Sequence, residues 1–142
     1  MEPRRTLPVK PVRPDPATLD PQQIVIDYDV IADTLYIHLF GEGRRAKVLH
    51  IGGDIDLRLD PTSHLIVGYQ IPGLLTAVVR RHPELLDLAG FADIAPTDLP
   101  ALAAIPAREV AALHRRVASE QRRRQAASVL DDLVEPRLAA SA

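Results

Sequence analysis

Asp54-Ile-Asp-Leu-Arg-Leu-Asp60 carries the clearest structural pattern in the chain, because charged and aliphatic residues alternate along it without exception. A period of two residues is that of a β-strand, in which successive side chains point to opposite faces of the sheet. We therefore predict a half-buried strand, with its aliphatic side chains facing a core and its charged side chains facing solvent. The inward residues are Ile55, Leu57 and Leu59.

Segments on both sides of this strand have the β-branched and aromatic content that is typical of strands. Gly52-Gly53 precedes it and Asp60-Pro61 follows it, and both pairs have the chemistry of tight turns. The predicted strands cover residues 23–29, 33–40, 47–51, 54–60 and 64–71. We expect an antiparallel β-meander of about five strands, in which the second strand pairs with the third through Gly41-Glu-Gly43.

Such a short sheet buries too little apolar surface by itself, so helices or a second subunit must cover one face. Pro72 suits the first turn of a helix that runs to about Arg81, and residues 84–89 form a second piece ended by Gly90. Pro106 begins the longest helical segment. The predicted class is therefore α+β, with a proline-rich extended and mobile arm (1–21), a β-meander domain (22–72), short helices packing on the sheet (73–105), a long C-terminal helix (106–135) and a tail (136–142).

The composition of the 142 residues excludes several classes of protein. Because there is no cysteine, neither a disulfide nor a thiolate site can form. The formal net charge of -2 argues against a dedicated nucleic-acid protein. The chain shows no apolar signal-peptide core, no membrane span, no nucleophile elbow and no dinucleotide loop. We expect a cytoplasmic protein without a cofactor, a bound metal or catalytic residues.

The predicted C-terminal helix carries two apolar patches that fall on different faces. Val110, Leu113 and Val117 form the first, which can pack on the parent domain. The polar run at residues 121–125 separates it from a second patch that is rotated to another side. We predict that this second patch leaves the domain and contacts a partner, in the simplest case a second copy in a homodimer. Its residues are Val129, Leu130, Leu133 and Val134.

An arginine-rich stretch of the same helix suggests an alternative function. Six arginines lie between Arg108 and Arg124, with Glu109 and Glu120 as the only acids. Such an excess of positive charge favours contact with phosphates or with an acidic protein surface, so a nucleic-acid-associated regulator is one hypothesis. The candidate contacts are Arg115, Arg116, Arg122, Arg123 and Arg124.

A second alternative is a small metal-dependent enzyme on the polar face of the sheet. His38 and His50 would lie nearly opposite each other if the second and third strands paired. Two imidazoles with a carboxylate, from Asp27 or Asp56, would form a transition-metal site. A one-residue slip of register would turn one histidine inward, and a polar solvent-exposed face is the other interpretation.

Several short motifs occur together in the strand region. They are Tyr28-Asp29, Asp33, Leu35-Tyr36-Ile37, Gly53-Asp54-Ile55, Asp60 and Ile66-Val-Gly-Tyr-Gln-Ile71. In combination they resemble a short bacterial family catalogued as domain of unknown function 2283, over about residues 24–71. The family typically has Glu where this chain has Gln70. The resemblance implies a small meander with a helix packed on it, no established activity, and a partner-binding, antitoxin-like role. The leading hypothesis is a non-catalytic protein-interaction module that self-associates.

Overall fold

A computed structural model of the chain describes residues 7–91, 104–114, 117 and 119–140. Within them lie five strands and three α-helices, which confirms the predicted α+β class. The strands are β1 (Val25–Asp29), β2 (Thr34–His38), β3 (Lys47–His50), β4 (Asp56–Leu59) and β5 (Ile66–Pro72). The helices are α1 (Glu84–Leu88), α2 (Ala107–Leu113) and α3 (Glu120–Ala140).

The five strands form one antiparallel sheet in the order β1-β2-β5-β4-β3. The predicted pairing of the second strand with the third is therefore wrong, because β5 lies beside β2 and β3 lies at the far edge. Apolar content explains the order. Most side chains of β5 are buried, whereas β3 buries only Leu49, so burial is greatest when β5 occupies the centre of the sheet.

One face of the sheet forms the core. Ile26 pairs with Ile37, which pairs with Tyr69, which pairs with Leu57, so a continuous apolar row crosses four strands. The alternation in residues 54–60 is confirmed, since Ile55, Leu57 and Leu59 are all buried. These side chains share one cluster with α1, Phe91 and α3, so the helices cover this face.

The long C-terminal helix predicted from Pro106 onward is interrupted. α2 ends at Leu113, and His114 adopts an extended backbone conformation with ψ of 130°. α3 then begins at Glu120 and continues through Pro136 to Ala140, into the segment that was predicted to be a tail. Because the helix is interrupted, the orientation of α3 on the core is not fixed by that of α2.

The helix predicted after Pro72 is also absent. β5 includes Pro72, Gly73 has a positive φ of 66°, and the segment then turns into a single 3₁₀ turn at Val78–Arg80. The following prediction is confirmed, because α1 covers Glu84–Leu88 and Gly90 ends it with a φ of 89°. A glycine at this position accepts the left-handed conformation that closes many helices.

The proline-rich arm packs on the domain from residue 7 onward, which corrects the expectation of a free and mobile extension. Val12 bridges Leu65 in parallel, donating to the His64 carbonyl and accepting from Ile66, both at 2.9 Å. Arg13 donates two hydrogen bonds to the Asp131 carboxylate, at 2.9 and 2.8 Å. The arm thereby ties α3 to the sheet.

Candidate functional site

The second face of the sheet, which we call the open face, carries the side chains that alternate with the core residues. Asp27 pairs with Tyr36, Tyr36 with Gln70, Gln70 with Asp56, and Asp56 with His50. One polar row therefore crosses all five strands. A neighbouring row contains Val25, His38, Gly68, Arg58 and Val48.

An aromatic pair lies at the centre of the open face. Tyr36 and His38 are two residues apart on β2, so both point away from the core. Their rings are nearly parallel, at an interplanar angle of 11° and a centroid distance of 6.1 Å. The Arg58 guanidinium carbon lies 6.0 Å from the Tyr36 ring centroid, within the range of a cation–π interaction.

Arg58 reaches this pair by passing over Gly68. Its Nη1 donates a 3.2 Å hydrogen bond to the Gln70 side-chain oxygen. A Cβ atom built on Gly68 would lie 3.7 Å from the Arg58 Cδ and only 2.7 Å from the Ile37 carbonyl oxygen. The register between β4 and β5 shifts next to Arg58, as at a β-bulge. Glycine is thus the residue that lets two strand backbones approach closely beneath the arginine.

Burial and charge set the protonation of the central imidazole. Desolvation by burial lowers the pKa of His38 below its ordinary value, and the neighbouring positive charge of Arg58 lowers it further. Histidine ordinarily titrates below neutrality, so this imidazole is mostly uncharged at pH 7. The Tyr36–His38 pair therefore presents two neutral aromatic planes beside one cation.

The histidine pair that the alternative metal-site hypothesis requires does not form. His38 lies on β2 and His50 on β3, and β5 and β4 lie between them. Three strand spacings separate the two by about 14 Å, too far for one ion. His50 Nδ1 instead contacts Asp56 at 2.8 Å. Among the described residues there is no group of three or more His, Asp or Glu side chains that could hold a metal.

The arginine-rich stretch makes contacts inside its own chain. Arg122 forms an ion pair with Asp87 of α1, and Arg123 donates a 3.4 Å hydrogen bond to the Pro21 carbonyl. Arg124 pairs with Glu120 at 3.2 Å, one helical turn away. Arg115 and Arg116 lie outside the described residues. The three described candidate arginines, Arg122, Arg123 and Arg124, thus attach α3 to its surroundings or to itself, and do not form one outward stripe.

The second apolar patch of the C-terminal region belongs to the core. Leu130 and Val134 are fully buried, and Val129 and Leu133 pack against the same cluster while half-buried. The expectation that this patch leaves the domain is wrong, because α3 starts anew after the break that follows α2 and turns its apolar side inward. In the single chain, these residues therefore expose little surface to which a partner could bind.

Sequence reasoning did not identify the open-face cluster. The sequence patterns indicate no binding role for Tyr36, Arg58 or Gly68. The alternation of Leu35 and Ile37 does place Tyr36 on the opposite face. The cluster itself depends on β5 lying between β2 and β4, and that order has no signal in any single strand.

Comparison of the chain with protein families, with curated proteins and with solved structures finds no match. The family resemblance of the strand motifs therefore stays a prediction. Within the described part of the chain, every helix is too short or too polar to cross a bilayer.

Proposed function

We propose that this chain is a non-catalytic protein-interaction module that self-associates through the open face of its sheet. The observation that carries the proposal is the cluster of Tyr36, His38 and Arg58, which is half-buried on the face opposite the one that the described helices cover. Tyrosine and arginine are among the residues that contribute most to binding at protein interfaces.

The cluster is also held in place before any partner arrives. Arg58 is fixed by Gln70, and Tyr36 is flanked by His38 and by the guanidinium. Ordering flexible side chains at an interface costs about 0.5–1.5 kcal/mol each, so a surface whose long side chains already have partners binds with a smaller entropic cost. This order favours a contact surface over a merely solvated polar face.

The shape of the molecule favours binding over catalysis. Enzyme sites are concave and bring polar groups together, whereas the open face is one layer of strands. A cavity of about 530 Å³ lies elsewhere, between the arm and the end of α3. The described residues that line it are mainly apolar, and three of them are charged. The lining residues are Leu7, Val9, Lys10, Pro11, Arg13, Glu135, Leu138 and Ala139.

The proposal is tested by sedimentation velocity and by NMR over a dilution series from high to low micromolar protein. We expect a concentration-dependent dimer whose amide shifts change at Tyr36, His38 and Gln70. Tyr36→Ala should shift the protein toward monomer without loss of circular dichroism. Ile31→Ser is the matched control, because Ile31 is 92% exposed at the β1–β2 turn, away from the cluster.

Two results would contradict this proposal. One is a full-length chain that stays monomeric at high micromolar concentration. The other is a dimer whose concentration-dependent shifts map to Val129 and Leu133 on α3, which would restore the C-terminal helix as the contact surface.

A further inference from the structure

We infer that two copies bind each other open face to open face, with Arg58 of each copy paired to Asp27 of the other. The inference rests on the proposed function, because it assigns the occupant of the same surface. It adds the residues that decide which surface is recognised and in what orientation.

Two opposite charges of the open face, on Asp27 and Arg58, have no ion pair with any described residue. Asp29 accepts backbone hydrogen bonds at 3.0 and 3.1 Å within its own turn, and Asp56 contacts His50 at 2.8 Å. Arg58, by contrast, donates only to a neutral amide, so most of its five donors stay available. Asp27 is exposed and has no hydrogen bond or ion pair with any described residue.

These two charges do not form an ion pair with each other within one chain. Asp27 lies on β1 and Arg58 on β4, with β2 and β5 between them. Three strand spacings of about 4.8 Å separate their backbones by about 14 Å. The Arg58 side chain spans part of this distance, but its contacts are with Gln70 and the Tyr36 ring and not with the Asp27 carboxylate.

A second copy resolves the separation by symmetry. A two-fold axis parallel to the sheets, midway between the Asp27 carboxylate and the Arg58 guanidinium, exchanges the positions of these two groups. Each arginine then faces the carboxylate of the other copy, and two ion pairs form per dimer. The axis passes close to β2, so Tyr36 and His38 lie near the centre of the contact, where binding energy is usually concentrated. The contact rests on few side chains of one sheet face, so we expect a weak dimer.

The test uses reversal of charge. Asp27→Arg and Arg58→Asp, each alone, place like charges opposite each other twice per dimer, and we expect dimerisation to weaken by about 10-fold or more. An equimolar mixture of the two variants should form a heterodimer, because one copy then carries two acids and the other two arginines. The double variant Asp27→Arg/Arg58→Asp restores opposite charges at both positions, so it should dimerise more tightly than either single variant. Asp132→Arg and Lys10→Asp are controls with the same charge changes at exposed positions elsewhere.

Sedimentation velocity of single, mixed and double variants, with circular dichroism to confirm folding, separates the outcomes. If the wild type dimerises, Tyr36→Ala breaks the dimer and the mixed variants stay monomeric, the open face is correct and this pairing is wrong. If the charge variants and Tyr36→Ala all dimerise like the wild type, both the pairing and the proposed function are overturned. Recovery of dimer in the mixture supports both.

Discussion

The Tyr28 hydroxyl donates a 2.6 Å hydrogen bond to the Asp33 carboxylate, so the end of β1 is tied to the start of β2 by side chains as well as by the strand ladder. The same carboxylate accepts hydrogen bonds from the Leu75 amide at 2.9 Å and from the Thr76 amide and hydroxyl at 3.2 and 3.0 Å. Asp33 therefore joins the first hairpin to the loop that follows β5. Its backbone is left-handed, with a φ of 50°, which aspartate tolerates better than most residues.

Asp33 should consequently be one of the most sensitive polar positions of the fold. We expect Asp33→Ala to lower the free energy of unfolding by about 2–3 kcal/mol, because several donors lose an ionised acceptor and the turn loses a residue suited to its backbone. Tyr28→Phe, which removes one of those bonds, should cost about 1 kcal/mol. Urea denaturation measures both values. The control Asp20→Ala, which removes a cap bonded only to the Gln22 amide, should cost less than Asp33→Ala. Equal losses would show that Asp33 is an ordinary turn residue.

Tyr28 should also make the protein less stable in alkali. Burial, and next the hydrogen bond to Asp33, raise the pKa of Tyr28 far above its ordinary value of 10.0. The folded state therefore keeps a proton that the unfolded state releases, so the contribution is complete below about pH 10 and falls as the pH rises further. Urea melts at about pH 9 and about pH 11 should show this loss.

Tyr28→Phe should flatten the pH dependence only in part, because burial raises the pKa of Tyr69 in the same direction. A variant whose stability falls as steeply as that of the wild type above pH 10 would assign the effect to Tyr69 alone.

Gly68→Ala tests the close approach beneath Arg58. The added methyl group would collide with the Ile37 carbonyl, a backbone atom that cannot move aside easily. We expect a loss of about 1–3 kcal/mol, in the range of overpacked cores. Combining it with Arg58→Ala should not restore stability, since the collision is with the backbone of β2. Restoration in that double variant would instead show that Arg58 is the obstacle.

Deletion of α3 should unfold the protein. Leu130 and Val134 are fully buried in the core, and Arg13 pairs with Asp131 of the same helix. We expect Leu130→Ala to cost about 2–5 kcal/mol, and Ser128→Ala, at an exposed position, to change stability by less than about 0.5 kcal/mol. A chain truncated after Gln121 should lose its cooperative melt in circular dichroism. A truncated chain that keeps its sheet would place α3 outside the folding unit.

The local features of the strands could be read from the sequence because they depend on neighbours within a few residues. The alternation in residues 54–60, the Gly52–Gly53 turn and the end of α1 at Gly90 all have local causes, namely side-chain period and positive φ. The positions of five strands followed from the same signals. The sequence also indicates that Tyr36 and His38 lie on the opposite face of the strand from Leu35 and Ile37, because these residues alternate.

The order of the strands and the break after α2 were decided only by tertiary structure. The alternation along a strand determines which side chains face inward. It does not determine which strand lies beside it, because any antiparallel neighbour with the same alternation keeps the apolar side chains on one face. β5 was placed beside β2 because the most apolar strand gains most from the centre of the sheet. Likewise, Val110 of α2 and Leu130 and Val134 of α3 are all buried in one core, and α2 ends between them at Leu113. The open-face cluster depends on the strand order, which brings Arg58 of β4 close to Tyr36 of β2. That order is determined by the apolar surface buried in the whole molecule, which no single segment of the sequence reveals.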